Sequence, residues 1–138
     1  MTALDGLLLA DEKGYLVKNY KSPLKSFSVV AGATCAIAIN FSALEPGEEL
    51  TALFHELGHC ETRSFYNQFS PFDVQQKHEN RADKWAIQKL IPKDELDTAV
   101  ERGLKAPWEL AEYFGVTEDF VKKAVCYYAN GNLAIEYY

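Results

Sequence analysis

Apolar residues recur along this chain in two rhythms. From Leu50 to Leu57 the apolar positions Leu50, Leu53, Phe54 and Leu57 follow i, i+3, i+4, i+7, the spacing of a helix with one buried face. Pro46 suits the first turn of that helix, and Glu48 and Glu49 suit its positive N-terminal end. A second helix is expected from about Val74 to Ile91, stopped by Pro92, with Ala82, Ala86 and Leu90 along one side. Beyond Pro92 three more are predicted. The first runs from Asp94 to Arg102 and ends at Gly103, and the second from Pro107 to Phe114 and ends at Gly115. Thr117 caps the third, whose apolar stripe is Phe120, Val121, Ala124, Val125 and Tyr128.

The other rhythm is alternation. Ser26 to Val30 and Thr34 to Phe41 are rich in β-branched and aromatic residues around Ala31-Gly32-Ala33, which predicts a hairpin. Cys35, Ile37, Ile39 and Phe41 fall on one face of its second strand. Leu7 to Leu9 and Tyr15 to Val17 flank Asp11-Glu12-Lys13-Gly14, a pattern that fits either a second hairpin or a helix ending at Gly14. The fold class expected is therefore α+β. A mostly extended layer over residues 1–41 forms a small antiparallel sheet, packed on a helical core in residues 46–91 and followed by helices in 93–138.

Length and composition add bounds. With 138 residues, 48% of them hydrophobic and 25% charged, the chain is expected to form one domain, 1–138. No apolar run reaches the eighteen or so residues needed to cross a bilayer. The start Met1-Thr2-Ala3-Leu4-Asp5 lacks the basic, apolar, small-residue order of a signal peptide, so a cytoplasmic protein is expected. Cys35, Cys60 and Cys126 are an odd number without a C-x-x-C pair, and buried thiols are the expected state.

Two of the three histidines stand four apart in His55-Glu56-Leu57-Gly58-His59. On a helix that spacing turns both imidazoles to one face, where they can grip one zinc ion while the glutamate activates a water. A catalytic zinc site needs a third protein ligand and one open position. Glu79 and Asp83 lie four apart on the otherwise small and apolar side of the second helix, and a carboxylate pair facing a core needs a partner. Zinc supplies one if Glu79 is the third ligand and Asp83 accepts the free N–H of a ligating histidine, His55 being the one expected. The plainer alternative is an exposed charged face shared with Arg81 and Lys84. Gly58 costs roughly 1 kcal/mol against alanine inside a helix, so a close approach by a backbone or a substrate strand is expected there. Cys60 follows a ligand directly, but one step along a helix rotates it away from the metal.

His55 to His59, then Glu79-Asn80-Arg81-Ala82-Asp83-Lys84-Trp85-Ala86 and Leu90-Ile91-Pro92, resemble the ImmA/IrrE family of zinc-dependent intracellular peptidases, whose members show HELGH, E-x-x-A-(N or D)-x-F-A and L-(M or I)-P. Tryptophan takes the aromatic place here. The resemblance runs most closely from about Ile37 to Pro92. It implies His55, His59 and Glu79 as zinc ligands and Glu56 as the base. It also implies a regulatory protein as substrate, because family members often accompany a helix-turn-helix repressor on phages and mobile elements and inactivate it.

The mechanism expected is hydrolysis of a peptide bond by water activated on zinc and deprotonated by Glu56, which returns the proton to the leaving amine. His78, Tyr66 and Tyr137 are candidates to stabilise the oxyanion, although His78 projects a quarter turn from Glu79 and is expected to be solvated. A free strand edge beside the zinc helix would suit an extended peptide. Phe65, Tyr66, Phe69 and Phe72, between the two site helices, are expected mostly to pack. The helices around Gly115 have the look of a helix-turn-helix, but the chain carries a net charge of −6 and only Lys122 and Lys123 on the second of them. Direct DNA binding is therefore not expected, and packing or partner recognition is. A different class stays open: a zinc-containing regulatory module that captures a repressor or toxin without cutting it.

Overall fold

The computed structural model describes residues 1–21, 23–45, 47–67 and 69–131. The turn expected at Pro46 and the candidate Tyr137 lie outside these residues. Among the described residues ten elements follow in order: α1 (Ala3–Lys13), β1 (Leu16–Asn19), β2 (Ser26–Ala31), β3 (Thr34–Ile39), a 3-10 turn (Phe41–Ala43), α2 (Glu48–Thr62), α3 (Phe72–Leu90), α4 (Lys93–Glu101), α5 (Pro107–Phe114) and α6 (Glu118–Asn130). The fold is a small α+β arrangement with C-terminal helices.

Two corrections concern the N-terminal layer. Its first part takes the helix alternative, α1 ending at Gly14, rather than a second hairpin, so the layer is less extended than expected. Thr2 and Asp5 form a reciprocal capping box, with the Thr2 N–H on Asp5 Oδ2 at 2.7 Å. Gly14 ends the helix in the left-handed region at φ 77°. Nor is the sheet purely antiparallel. β2 and β3 make the expected hairpin, with Val30 opposite Cys35, but β1 joins the other side of β3 in parallel, with Leu16 opposite Ala36. The order is β1-β3-β2, so β3 is central and β2 is an edge.

β3 carries the sheet's buried face on Cys35, Ile37 and Ile39, while the 3-10 turn takes Phe41 out of the strand. These side chains meet Leu50, Leu53, Phe54 and Leu57 of α2, all buried, and Ile87 and Ile91 complete the centre. α6 packs on α3 and closes the core with Phe120, Val121 and Ala124. The helix stops at Gly115 and the cap at Thr117, whose side chain accepts from the Phe120 N–H, are as expected.

The cysteines depart from the expectation of free thiols. Cys35 of β3 and Cys60 of α2 form a disulfide, their Cα atoms 5.8 Å apart, within the range a bridge spans. Both are buried where the sheet meets α2, a juxtaposition that spacing along the chain does not reveal. Cys126 is free.

Candidate metal centre

The closest approach of α2 and α3 is set by Gly58. A Cβ placed there would lie 2.5 Å from the Ala82 carbonyl oxygen, so only the missing side chain lets the α3 backbone in. The close approach expected at Gly58 is thus made by a neighbouring helix. Ligand geometry follows from this crossing. On α2, His55 lies one turn before Gly58 and His59 directly after it; on α3, Glu79 lies one turn before Ala82 and Asp83 directly after it. The two helices therefore bring all four side chains to one place.

His55, His59 and Glu79 offer ligand atoms that all lie within 4.8 Å of one another. His55 Nε2 is 2.8 Å from Glu79 Oε2, His59 Nε2 is 3.1 Å from Glu79 Oε1, and the two Nε2 atoms are 3.2 Å apart. The other ring nitrogens are engaged. His55 Nδ1 meets Asp83 Oδ1 at 2.6 Å, and His59 Nδ1 meets the Ser64 carbonyl. A carboxylate and a carbonyl can only accept, so each Nδ1 carries a hydrogen, and each ring, when neutral, turns a bare Nε2 lone pair inward. Two such nitrogens and a carboxylate facing one another repel unless a cation sits among them. This donor set fits a metal ion held by two imidazoles and a carboxylate.

Protonation reflects the same demand. Burial disfavours the charged His55 ring, but its bonds to Asp83 and Glu79 outweigh burial and raise its pKa to about 10. Burial pushes the Glu79 carboxyl up, while His55, His59 and the Tyr66 hydroxyl hold it well below the usual carboxylate range. Asp83 is lowered in the same way: burial opposes it, and His55 and then Lys123 prevail. A proton on His55 thus serves where a metal would otherwise supply the positive charge.

Glu56 is buried and its Oε2 accepts from Ser26 Oγ at 2.7 Å. Ser26 opens the edge strand β2, so the sheet reaches the site through that residue. Tyr66 donates to Glu79 Oε1 at 2.7 Å, and its pKa is raised by burial and by Glu79, so it remains a protonated donor. From α6, Lys123 Nζ lies 3.0 Å from Asp83 Oδ2, extending the line His55, Asp83, Lys123 to the C-terminal helix.

Every described site residue read from sequence is in this cluster or beside it. His78 is half-buried rather than solvated; it stacks on Tyr66 with ring centroids 6.3 Å apart, and its Nδ1 has no hydrogen-bond partner among the described residues. Phe65 packs against the core as expected, but Phe69 and Phe72 are exposed. Cys60 is committed to its disulfide. Ser26, Ser64 and Lys123 were not legible as site residues, because each reaches its partner through tertiary packing. Among the described residues no helix is long and apolar enough to cross a membrane.

The chain has no match among curated proteins and none among solved structures. Residues 16–125 match the family model of the peptidase M78 group, described as the IrrE N-terminal-like domain. That span takes in all three strands, the Gly58 crossing and most of α6. That match covers most of the chain, and His55, His59 and Glu79 within it are placed where they could hold a metal ion; the chain belongs to the ImmA/IrrE family, a family of metallopeptidase type.

Proposed function

We propose that this protein is a zinc-dependent peptidase that hydrolyses a peptide bond in a regulatory protein, a helix-turn-helix repressor of a phage or mobile element being the substrate the resemblance favours. The observation that carries this reading is the inward convergence of His55 Nε2, His59 Nε2 and Glu79 with Glu56 on the same helix. His55, His59 and Glu79 would hold the zinc, and Asp83 would fix the His55 ring. Zinc held there would supply a Lewis acid that makes a nearby water easier to deprotonate. Glu56, steadied by Ser26, takes a proton from the attacking water. The water oxygen bonds to the peptide carbonyl carbon, the C–N bond breaks, and Glu56 delivers the proton to the leaving amine nitrogen. Tyr66 keeps its proton and lines the same cavity, which makes it the donor suited to the oxyanion.

Elemental analysis of the chain, purified without added metal or a metal-binding tag, tests this. About one zinc per chain is expected, largely lost in Glu79→Ala. A metal-free wild type that also refuses added zinc sinks the proposal. Glu56→Gln should keep the metal and partner binding and lose cleavage. If neither form cleaves a partner that both bind, the protein is the non-cleaving capture module instead.

A further inference from the structure

Helix α6 is fixed on α3 by more than its apolar stripe. Gln88 Nε2 donates to the Tyr127 hydroxyl at 2.8 Å, and the Tyr128 hydroxyl donates to the Ile91 carbonyl at 2.7 Å. Earlier on both helices, Lys123 Nζ lies 3.0 Å from Asp83 Oδ2. Asp83, Gln88 and Ile91 of α3 thus meet Lys123, Tyr127 and Tyr128 of α6 in the same order, so the two helices run side by side over this stretch. Phe120, Val121 and Ala124, all buried, hold the α6 backbone on either side of Lys123. That leaves little choice of which α6 residue meets Asp83. The lysine head reaches past this apolar stripe into the cavity that also exposes His55, Glu79 and Asp83.

What this cation does follows from how Asp83 is divided. Oδ1 takes the His55 Nδ1–H at 2.6 Å, and Oδ2 takes Lys123. A carboxylate turns easily about its last side-chain bond, where the torsional wells are broad, so one bond alone leaves it free to pivot. Held at both oxygens, it is locked. The direction of the His55 Nε2 lone pair depends in turn on where Oδ1 sits. An ion pair between two solvated side chains carries little consequence, but here the Asp83 side chain is only 9% exposed and is bonded to a ligand. Lys123, 41% exposed, has its repulsion of a bound cation screened by solvent, whereas the buried carboxylate feels the loss of a partner in full. Orientation therefore outweighs repulsion. We infer that Lys123 is a positioning residue of the metal centre: from α6 it locks the Asp83 carboxylate, which aims His55 at the ion, so the C-terminal helix helps to hold the metal without touching it. The inference rests on the metal-site reading above.

Zinc affinity of the full chain, read by competition with a chromophoric chelator, tests this. Lys123→Met keeps the apolar stem and the helix propensity and should weaken zinc binding about tenfold, the lower end of the range for residues that support a ligand from behind. Lys123→Arg, which keeps a charged donor, should recover most of that loss. Tyr127→Phe removes a different bond between α6 and α3 and should leave the affinity unchanged, which separates the aiming of Asp83 from a general loosening of α6. In an Asp83→Asn background, Lys123→Met should add no further loss. Wild-type affinity in Lys123→Met, an equal loss in Tyr127→Phe, or the full loss repeated in Asp83→Asn overturns the inference. The measurement needs no substrate, so a chain that shows this ranking yet cleaves nothing loses the peptidase reading and keeps the role of Lys123. Cleavage by wild type with undiminished zinc binding in Lys123→Met does the opposite. A wild type that takes up no zinc overturns both.

Discussion

Helices α1 and α2 lie against each other, yet they are used differently. α2 buries eight of its fifteen residues, on nearly every side, whereas α1 buries only Gly6 and Ala10 of its eleven and leaves Leu4 and Leu8 facing solvent. α2 is bound to the sheet by a disulfide, to α3 through the Gly58 crossing and to the ligand cluster. α1 touches α2 through Gly6 and lies outside the family match, which begins at residue 16. An element held from several directions has little freedom to shift, and that rigidity is what a ligand geometry needs. The contrast also separates what serves chemistry from what covers the core.

The largest way to break this contrast is to open the Cys35–Cys60 bridge. Closing a loop across 25 residues restricts the unfolded chain, so Cys35→Ala or full reduction should cost about 3 kcal/mol. Urea unfolding with and without reductant would read this, and Cys126→Ala should leave the difference intact. In a reducing compartment the pair would stay as thiols and the bridge's contribution would be absent.

Next comes the crossing itself. Gly58→Ala gains helix propensity but drives its Cβ against the Ala82 backbone, which cannot yield without separating α2 from α3. A net loss of about 2 kcal/mol is expected, together with weaker zinc retention.

Acidity gives a third test, made with chelator present. His55 has a folded pKa raised to about 10 above an unfolded value of 6.5. Its contribution is complete below pH 6.5 and is lost as pH climbs through about 10, with a slope of at most about 1.4 kcal/mol per pH unit. Glu79 and Asp83, both lowered, act in the opposite sense and lose their contribution as the solution becomes strongly acidic. A metal-free unfolding midpoint that stays level from pH 6.5 to 9 would contradict this. Zinc uptake should release protons over the same interval, which calorimetry in buffers of different ionisation enthalpy would detect.

The smallest effect belongs to α1. An added Cβ at Gly6 meets the buried Leu53 and Phe54 side chains rather than backbone, and the helix propensity gained offsets part of the clash, so Gly6→Ala should cost roughly 1 kcal/mol. A loss equal to that of Gly58→Ala would erase the distinction between the two helices.

Much of the site could be read from sequence because its parts are local. The histidine spacing, the carboxylates on a small-residue stripe and a glycine inside a helix each carry their meaning within one or two turns. The helix boundaries after Pro92 were legible for the same reason, since Gly103, Gly115 and Thr117 are terminal signals. What escaped was pairing at a distance. Ser26 meets Glu56 across 30 positions and Lys123 meets Asp83 across 40. Cys35 meets Cys60 only because β3 lies on α2. β1 has four residues and little burial contrast, so nothing in it announces a parallel partner. α1 did carry a readable sign in Thr2 and Asp5, whose capping box favours the helix over the second hairpin.

The ligand atoms come from two helices rather than one. An ion bound by His55, His59 and Glu79 therefore bolts α2 to α3, and its supply becomes part of the folding equilibrium. At a free metal concentration a thousandfold above the dissociation constant, the added margin is about 4 kcal/mol. A cell short of the metal would then keep the chain folded by a thinner margin, and the quantity of intact chain would fall with metal availability before any assay of activity was run.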